Sequence, residues 1–513
     1  MASLASLFSG YFNGFGGFFT AYTSITMILW IAVGVFLGIY IGAIPGLSVT
    51  MAVSLLISFT FSWDTNPALA LMIGVFTGGV YGGSRSAILL NIPGAPAAVA
   101  TGFDGYPLAQ KGEAGTAMGL STTESVLGGF VGLLCLTLLS PLIGRLAINF
   151  AARDYLLLAI MALFLVGSLS KGSLPKALIT AFFGVVVGMI GMDSVTAQPR
   201  LTFGIPSLLA GINFVVVMIG LFGMSEALYQ LHFNLKPVKQ QIQRILPDWK
   251  IMKHYMPLAM RCSALGTLVG ALPGTGGDIA ALIAYDHAKR SVKNPNRPFG
   301  EGAYAGVIAP ESANNAAIGG AFIPMMTLGI PGDSVTAILI GALTIHGIRP
   351  GPLLMQDQPE FFWTIVGALI LANCFLLVLG LTGIHLFCKV VEVPKHVIIP
   401  VIVILSVIGS YSINNSVTDI YWMFFFGILG YLFKMHDFPV ATMVLGIILS
   451  NILDTNWRRA MNIAHGQLGE FVAGFFTHPI SLILLLFVIF IAIPKSTKQR
   501  FLALFRKKSA TES

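Results

Sequence analysis

Long runs of apolar residues recur along the chain from Ile25 to Ile493, and short polar segments separate them. A helix needs about 20 mostly apolar residues to cross a bilayer. The runs do not show the alternation of apolar and polar residues that is typical of transmembrane β-strands. The pattern therefore predicts an all-α polytopic membrane protein with roughly 12 transmembrane segments, some of them broken.

Two of these apolar runs are interrupted in the same way. The segments Gly34–Thr50 and Cys262–Asp278 align without a gap at an offset of 228 residues, and each contains Pro-Gly near its middle. Proline removes a backbone donor and breaks a helix, and glycine frees the backbone. In hydrocarbon, such a break is tolerated only inside protein or beside a water-filled cavity. Paired breaks predict the binding site of a transporter, although kinks in close-packed helices are the alternative.

A second break follows each of the first two. Residues 82–94 match residues 320–332 at an offset of 238, so the loop inside the second unit is 10 residues longer. Two matched sets of breaks predict an internal repeat, which we expect to be inverted. The first repeat would cover residues 1–232 and the second would cover residues 262–513, with residues 233–261 between them.

The basic residues predict the orientation of the chain. Residues 233–261 contain six Lys or Arg and one acid, and residues 286–301 are also basic. Both segments are expected in the cytoplasm, as is the basic C-terminal tail. Residues 262–285 would then enter and leave on one side, as a re-entrant hairpin with arms of about 11 residues, or roughly 16 Å. A kinked full span is the alternative.

Composition narrows the functional class. Charged residues make up 10% of the 513 residues, against about 25% in soluble domains. The net charge of +8 comes from basic loop residues, so no nucleic-acid partner is implied. The four cysteines lie in apolar stretches and show no disulfide or metal spacing. The sequence contains no nucleotide-binding or hydrolase motif, so we do not expect the chain to be an ATPase or another enzyme. No cofactor is expected either.

Polar residues beside the breaks are the candidate ligands. The N-terminus of a half-helix favours anions, and freed carbonyls bind small cations. We therefore expect a small anion between the break loops and Na⁺ or H⁺ as the coupling ion, with helix capping as the alternative role of each Ser or Thr. The candidate substrate-binding residues are Pro45, Gly46, Ser48, Asn91, Pro93, Gly94, Pro273, Gly274, Thr275, Gly276, Asn314, Pro331, Gly332 and Ser334. The candidate ion-coupling residues are Asp278, Glu311, Asn315, Thr327 and Asp333.

Arg85 is a rare basic residue inside an apolar segment. It could pair with a carboxylate of the substrate or of the protein, or it could extend its charge to the membrane interface.

Five motifs cover most of residues 30–130 and 260–355. They are GAIPGLS, NIPGAPAAVATGFDGYPLAQKGEAG, GALPGTGGDIAA, APESANNAAIGGAFIPMMTLGIPGDS and GIRPGPLL. In these motifs the chain resembles the large membrane subunit of the bacterial tripartite tricarboxylate transporters. It departs from that family at Ser84, Arg85 and Ser86, where Gly-Gly-Ser-Ile-Pro is common.

The resemblance implies a carrier of the bacterial inner membrane that is driven by an ion gradient. It implies two partners, a small four-span membrane subunit and a periplasmic solute-binding protein, in surrounding lipid. The implied substrate is a tricarboxylate or another small carboxylate. A stand-alone carrier for a different small anion is the main alternative, followed by a channel or a membrane-embedded enzyme. The clustering of the breaks also predicts an elevator-like movement against a scaffold of uniform spans.

Overall fold

The computed structural model describes residues 14–44, 47–91, 93–169, 174–193, 198–232, 249–383 and 395–492. These residues are overwhelmingly α-helical, as the hydropathy pattern predicts. A short antiparallel pairing of β1 (Gly191–Met192) with β2 (Pro199–Arg200) supplies the strands found within those ranges. Together with the apolar helices below, this confirms an all-α polytopic membrane protein.

The first half begins with helices that alternate between long spans and short apolar segments. Ser24 and Ser48 begin two of them, and the hydroxyl of each accepts a hydrogen bond from a backbone amide of the first turn. The helices are α1 (Gly16–Thr23), α2 (Ile25–Ala43), α3 (Val49–Thr60), α4 (Thr65–Leu90), α5 (Ala98–Gln110), α6 (Ala114–Ile148), α7 (Ala152–Leu169) and α8 (Leu174–Gly188). A 3₁₀ turn (Pro206–Leu208) precedes α9 (Phe214–Met218), which continues through a π-helical turn (Ile219–Met224) into α10 (Ser225–His232).

The second half begins within the predicted linker. Residues 249–261 form the first part of a helix, while residues 233–248 lie outside the described residues. The helices are α11 (Trp249–Gly270), α12 (Gly276–Ser291), α13 (Tyr304–Leu328), α14 (Ser334–Ile345), α15 (Leu354–Asp357), α16 (Pro359–Thr382), α17 (Lys395–Asn414), α18 (Val417–Met435), α19 (Val440–Ile463), α20 (Leu468–Thr477) and α21 (Pro479–Ala492).

Six helices of the described chain are long and apolar enough to cross a membrane, and a bent pair would make seven. Several further apolar helices are shorter, so the predicted number of roughly 12 segments remains a prediction. The bent pair consists of α20 and α21, which meet at 95°. Pro479 begins α21, since proline fits the first turn of a helix but not its interior.

The two broken units pack in the same way. In the first half, α2 packs closely against α4 because α2 has glycines at the contact. A Cβ at Gly38 would lie 2.4 Å from a carbonyl oxygen of α4, and a Cβ at Gly42 would lie 2.2 Å from another. In the second half, Gly266 and Gly270 bring α11 equally close to α13. The carbonyls that they meet belong to Val75 and Gly79 in α4, and to Ala313 and Ala317 in α13.

The two halves also interlock. Helix α5 of the first half packs against α12 and α13, and α14 of the second half packs against α3 and α4. Helix α6 crosses α11 and α13, and α16 crosses α2 and α4. Phe76 and Phe322 join α4 to α13, with ring centroids 6.3 Å apart. Of the remaining helices, α7, α8, α19 and α21 form one group, while α9, α10, α17 and α18 form another.

Candidate functional site

The first break lies partly outside the described residues. Pro45 and Gly46 are not among them, so their predicted contact with substrate stays a prediction. Helix α2 ends at Ala43 and α3 begins at Val49. The Ser48 hydroxyl accepts a hydrogen bond of 3.0 Å from the Met51 amide, so Ser48 caps α3. This is the alternative role that the sequence left open.

The second break of the first half folds back onto the first. Helix α4 ends at Leu90, and Asn91 adopts the left-handed conformation with φ 54°. Gly94 donates a backbone hydrogen bond of 3.3 Å to Gly83. A Cβ at Gly94 would lie 2.1 Å from the carbonyl oxygen of Gly42, at the end of α2. The second break loop of this half therefore lies against the end of α2, with Pro93 half-buried beside it.

The corresponding loop of the second half joins α11 to α12. Pro273 is buried, and Gly274 and Gly276 have positive φ values of 72° and 59°. The Thr275 hydroxyl donates to the carbonyls of Leu272, at 2.9 Å, and of Val269. It thereby ties the loop back to the end of α11. The helices on either side of this loop have 22 and 16 residues and extend beyond the predicted hairpin of residues 262–285, so the re-entrant path remains a prediction.

The last break repeats the geometry of the second. Helix α13 ends at Leu328, and Gly329 adopts the left-handed conformation with φ 70° at the position equivalent to Asn91. A Cβ at Gly332 would lie 2.6 Å from the carbonyl oxygen of Gly270, as Gly94 lies against Gly42 in the first half. Pro331 is buried beside it.

Asp333 begins α14 through a capping box. Its Oδ1 accepts hydrogen bonds of 2.7 Å from both the backbone amide and the hydroxyl of Thr336, and the Thr336 hydroxyl accepts from the Asp333 amide at 2.9 Å. Ser334 is the first residue of the helix, and Thr327 donates its hydroxyl to the Ile323 carbonyl at 2.7 Å. Asp333 and Thr327, which are both predicted ion-coupling residues, thus have hydrogen bonds that stabilise helices.

Asn314 and Asn315 form the chemically open part of the site. Both side chains are buried, and within the described ranges neither amide nitrogen nor amide oxygen of either one has a hydrogen-bond partner. A Cβ at Gly277 would lie 2.1 Å from Asn314 Oδ1, and one at Gly276 would lie 3.0 Å from the Cβ of Asp333. The Asn314 amide therefore faces the start of α12, which adjoins the start of α14. A buried polar group without a partner destabilises a protein by about 1–3 kcal/mol, so such a pair points to a ligand.

Glu311 connects the two halves. It lies on α13 and is fully buried, and its carboxylate accepts hydrogen bonds from Thr101 on α5 and, at 2.7 Å, from Ser125 on α6. Asp278, the other acidic candidate, is half-buried in the first turn of α12.

Arg85 has a structural partner. It is fully buried, so the prediction that it extends to the membrane interface is wrong. Its Nε donates to the Tyr81 hydroxyl at 3.1 Å, and its Nη2 donates to the carbonyls of Gly380 and, at 3.5 Å, of Leu379. These carbonyls lie in the last turn of α16, where the helix dipole is negative. The guanidinium therefore caps α16.

Hydrogen bonds to the Asp104 carboxylate join the two halves, and the sequence analysis did not predict them. We call Asp104 and its hydrogen-bond donors the latch. The buried Oδ1 accepts hydrogen bonds from the backbone amides of Gly300, Gly302 and Ala303 at 2.8, 2.9 and 2.8 Å. Its Oδ2 accepts from the Tyr285 hydroxyl at 2.8 Å. An acidic residue within the apolar motif of α5 was the available signal.

A second group supports the latch nearby. Burial opposes ionisation of Glu113, but hydrogen bonds from Arg297 and Tyr304 and the nearby positive charges outweigh this effect and lower the pKa of its carboxyl. The Lys111 ammonium also donates to the Glu301 carbonyl at 2.6 Å. The segment after α5 is therefore tied to the loop between α12 and α13.

Two open clefts lie away from the break loops. One of about 470 Å³ is lined by residues at the start of α16, including Asp357 and Glu360, and by Asn66 near the start of α4. A neighbouring cleft of about 640 Å³ is lined by Asp64 and Asn66. Acidic linings repel a polyanion, so these clefts do not suit a carboxylate. The described residues of the break loops are buried or half-buried, apart from the exposed Asn91 and Pro96.

The model of the tripartite tricarboxylate transporter TctA family matches residues 28–445. The chain belongs to the TctA family. An uncharacterized 52.8 kDa protein of the TAR-I ttuC′ 3′ region of Agrobacterium vitis is 36% identical over 461 residues, which cover 89% of this chain and 91% of that protein. A protein of the TAR-II ttuC′ 3′ region of the same organism is 42% identical over 220 residues, covering 43% of this chain and 89% of that protein. No solved structure matches the chain significantly.

Membership of the TctA family confirms the resemblance seen in the motifs. It makes the chain a membrane component of a tripartite tricarboxylate transporter, a class that is defined by transport and not by catalysis. The match includes all four break loops and the Asn314–Asn315 pair.

Proposed function

We propose that the protein carries a tricarboxylate or another small carboxylate across the bacterial inner membrane, driven by a Na⁺ or H⁺ gradient. It receives the solute from a periplasmic binding protein and works with a small four-span membrane subunit. The observation that carries this proposal is the Asn314–Asn315 pair, whose buried amides have no hydrogen-bond partner in the described part of the chain and adjoin the breaks between helices.

Electrostatics supports an anion at this place. Helices α12 and α14 begin beside each other, since Gly276 adjoins Asp333. Each helix N-terminus carries about half a positive charge, supplied by backbone amides that need not move. The Asn314 amide adds a neutral donor. Asp278 and Asp333 lie at these two N-termini, so a co-bound cation or proton offsets their charge. Together with that ion, the arrangement compensates a carboxylate with few basic side chains, which suits Arg85 being engaged at α16.

The coupling ion has acidic and amide ligands available near the same place. Glu311 and Asn315 lie one turn apart on α13, and Asp278 lies in the first turn of α12. Oxygen ligands of this kind suit Na⁺, and a buried carboxylate also suits a proton. The ion is therefore proposed only as Na⁺ or H⁺.

An inverted repeat is proposed as the architecture of the site. Its support is the set of equivalent contacts, in which Gly94 meets Gly42 as Gly332 meets Gly270. The interlocking of α5 with α13 and of α14 with α4 supports it as well. Basic residues on either side of the second hairpin favour a re-entrant path with both ends in the cytoplasm.

Transport is proposed to move the broken helices as a unit, in an elevator-like way. The helices next to the breaks pack mainly on one another, whereas α7, α8, α19 and α21 form a separate group. Alternating access needs one group of helices to move against another. Structures in two facing states that differ only near Pro45 and Pro273 would argue against this movement.

The function can be tested by uptake into proteoliposomes. The full chain would be reconstituted with the small subunit, and uptake of labelled tri- and dicarboxylates would be measured with and without the binding protein, under imposed Na⁺ or pH gradients. We expect uptake of at least one carboxylate that needs all three components and one of the gradients. Uptake without the binding protein would favour a stand-alone carrier, and failure with every carboxylate would reject the proposal.

A further inference from the structure

Glu124 is a buried acid that the proposed site does not use. It lies in the middle of α6 and is fully buried. Neither oxygen of its carboxyl group has a hydrogen-bond partner among the residues that the structure describes. Glu311 differs, because Thr101 and Ser125 donate to its carboxylate. Glu124 on α6 and Glu311 on α13 therefore differ in their surroundings, since hydroxyl groups donate only to Glu311 among the described residues.

The helices packed against α6 provide no compensating charge for Glu124. These helices are α4, α5, α11, α13 and α16. Arg85 is engaged with α16, Asp104 with the latch, and Arg261 is exposed and bonded to Pro257. Cys262 of α11 is buried and brings no positive charge. The titratable side chains in the middle of these helices are Tyr81, Arg85, Asp104, Tyr106, Tyr255, Arg261, Cys262, Glu311 and Cys374.

A carboxylate in these surroundings would be strongly destabilised. The effective penalty for burying an ion is several kcal/mol even after relaxation of the protein. A group in this position binds a proton instead, because the neutral acid loses far less hydration energy. Among the described residues, no hydroxyl or backbone amide donates to Glu124, whereas such groups donate to Glu311 and Asp104.

We propose that Glu124 is a proton-binding site of the carrier. It is a neutral carboxylic acid in the conformation described here, and it releases its proton when the helices around it separate and water reaches it. The reaction is a reversible protonation, in which the carboxylate binds one proton and releases the same proton. The role of Glu124 in coupling rests on the proposed transport function, whereas its protonation does not.

The position of Glu124 suits such a role. Gly128 and Gly132, one and two turns along α6, lie against the backbone of Ser312 and Ala316 on α13. That part of α13 also carries Asn314 and Asn315. A shift of α13 against α6 would therefore change the substrate site and the surroundings of Glu124 together. Protonation of Glu124 would in turn favour the closed contact of the two helices.

Infrared spectroscopy of the purified full chain in lipid tests the protonation directly. We expect a carbonyl band from protonated carboxylic acid at neutral pH, and we expect Glu124→Gln to remove the part of the band that Glu124 contributes. Glu113→Gln, which alters an ion-paired acid at the start of the same helix, serves as the control and should leave the whole band in place. A band of unchanged intensity in Glu124→Gln, or one that weakens only in Glu311→Gln, would overturn the proposal.

Transport tests the coupling role. In the three-component proteoliposomes, Glu124→Gln should lose the stimulation of uptake by a pH gradient, and Glu124→Asp should restore part of it. Stimulation equal to that of the wild-type protein would overturn the role in coupling. If the wild-type protein transports no carboxylate, the proposed function fails, but the infrared measurement still decides whether Glu124 is protonated. Loss of the band on adding Na⁺ alone would indicate a cation site and would contradict the proposal.

Discussion

At the scale of single residues, Asp104 and Asn314 show two uses of a buried polar group. Asp104 accepts three backbone hydrogen bonds and one from a tyrosine, so every part of its carboxylate is engaged. Asn314 is equally buried, yet its amide has no partner within the described chain. The first arrangement holds the two halves together, and the second leaves donors and acceptors for a ligand.

Removal of the Asp104 carboxylate should destabilise the protein strongly. Asp104→Ala would leave three buried backbone amides without an acceptor, and each such group is worth about 1–3 kcal/mol. We expect a large fall in the unfolding temperature of the purified protein, and a smaller fall for Asp104→Asn, which keeps an oxygen acceptor. Asp286→Ala, which removes an exposed acid on α12, is the control. A melting temperature of Asp104→Ala equal to that of the control would contradict the latch.

Arg85 offers a test that separates a structural role from substrate binding. Arg85→Met keeps much of the volume but removes the donors to the end of α16. We expect a lower unfolding temperature with an unchanged KM for the transported carboxylate, because the guanidinium contacts backbone carbonyls. An increased KM with unchanged stability would instead place Arg85 in the substrate site.

The sequence could identify the break residues but not these partnerships. Pro-Gly interrupts a helix locally, so Pro273 and Pro331 are visible without a fold. The partners of Asp104 and Glu311 lie about two hundred positions away along the chain, and only the packed structure brings them together. Glu124 stood in a polar run, STTES, within an apolar helix, which was the missed signal.

At the scale of helices, the hairpin of the second half shows why boundaries are hard to predict. Charge counting assigned residues 249–261 to a linker, but they form the start of α11. Met252, Tyr255 and Ala259 of this segment are buried, whereas Lys253 and Arg261 are exposed. The segment is therefore an amphipathic helix, and its helical periodicity was hidden by its charge.

The close contact of α2 with α4 predicts a sharp difference between two glycines. A Cβ at Gly42 would lie 2.2 Å from the Gly79 carbonyl oxygen, whereas nothing lies within 4 Å of a Cβ at Gly16. Gly42→Ala should separate the helices and lower both unfolding temperature and uptake. Gly16→Ala should lower neither, since alanine favours a helix over glycine by about 1 kcal/mol. Equal behaviour of the two variants would argue against a functional role for the contact between α2 and α4.

The re-entrant path of the second hairpin can be tested by accessibility. Lys253 and Lys289 are exposed near the outer ends of α11 and α12. In a cysteine-free background, Lys253→Cys and Lys289→Cys should both react with a membrane-impermeant reagent from the cytoplasmic face alone. Reaction of the two cysteines from opposite faces would show that the segment crosses the membrane fully and would contradict the re-entrant hairpin.

At the scale of the whole molecule, the equivalent contacts of the two broken units support one account of fold and function. Hydropathy predicted the class of protein because the bilayer restricts spanning structures to helices and barrels. It could not predict how the halves interlock, because α5–α13 and α14–α4 contacts depend on tertiary packing. The central claim is that a carboxylate binds between the broken helices beside Asn314.

The most direct test of that claim is the KM for carboxylate uptake by Asn314→Ala in the reconstituted three-component system. A hydrogen bond to a charged group is worth about 1.5–3 kcal/mol, so KM should rise by about tenfold or more while the protein still inserts and folds. Ser140→Ala, which alters another buried polar residue of the membrane region, should leave KM unchanged. If Asn314→Ala transports with the same KM as the wild-type protein and Ser140→Ala, the substrate does not bind beside Asn314.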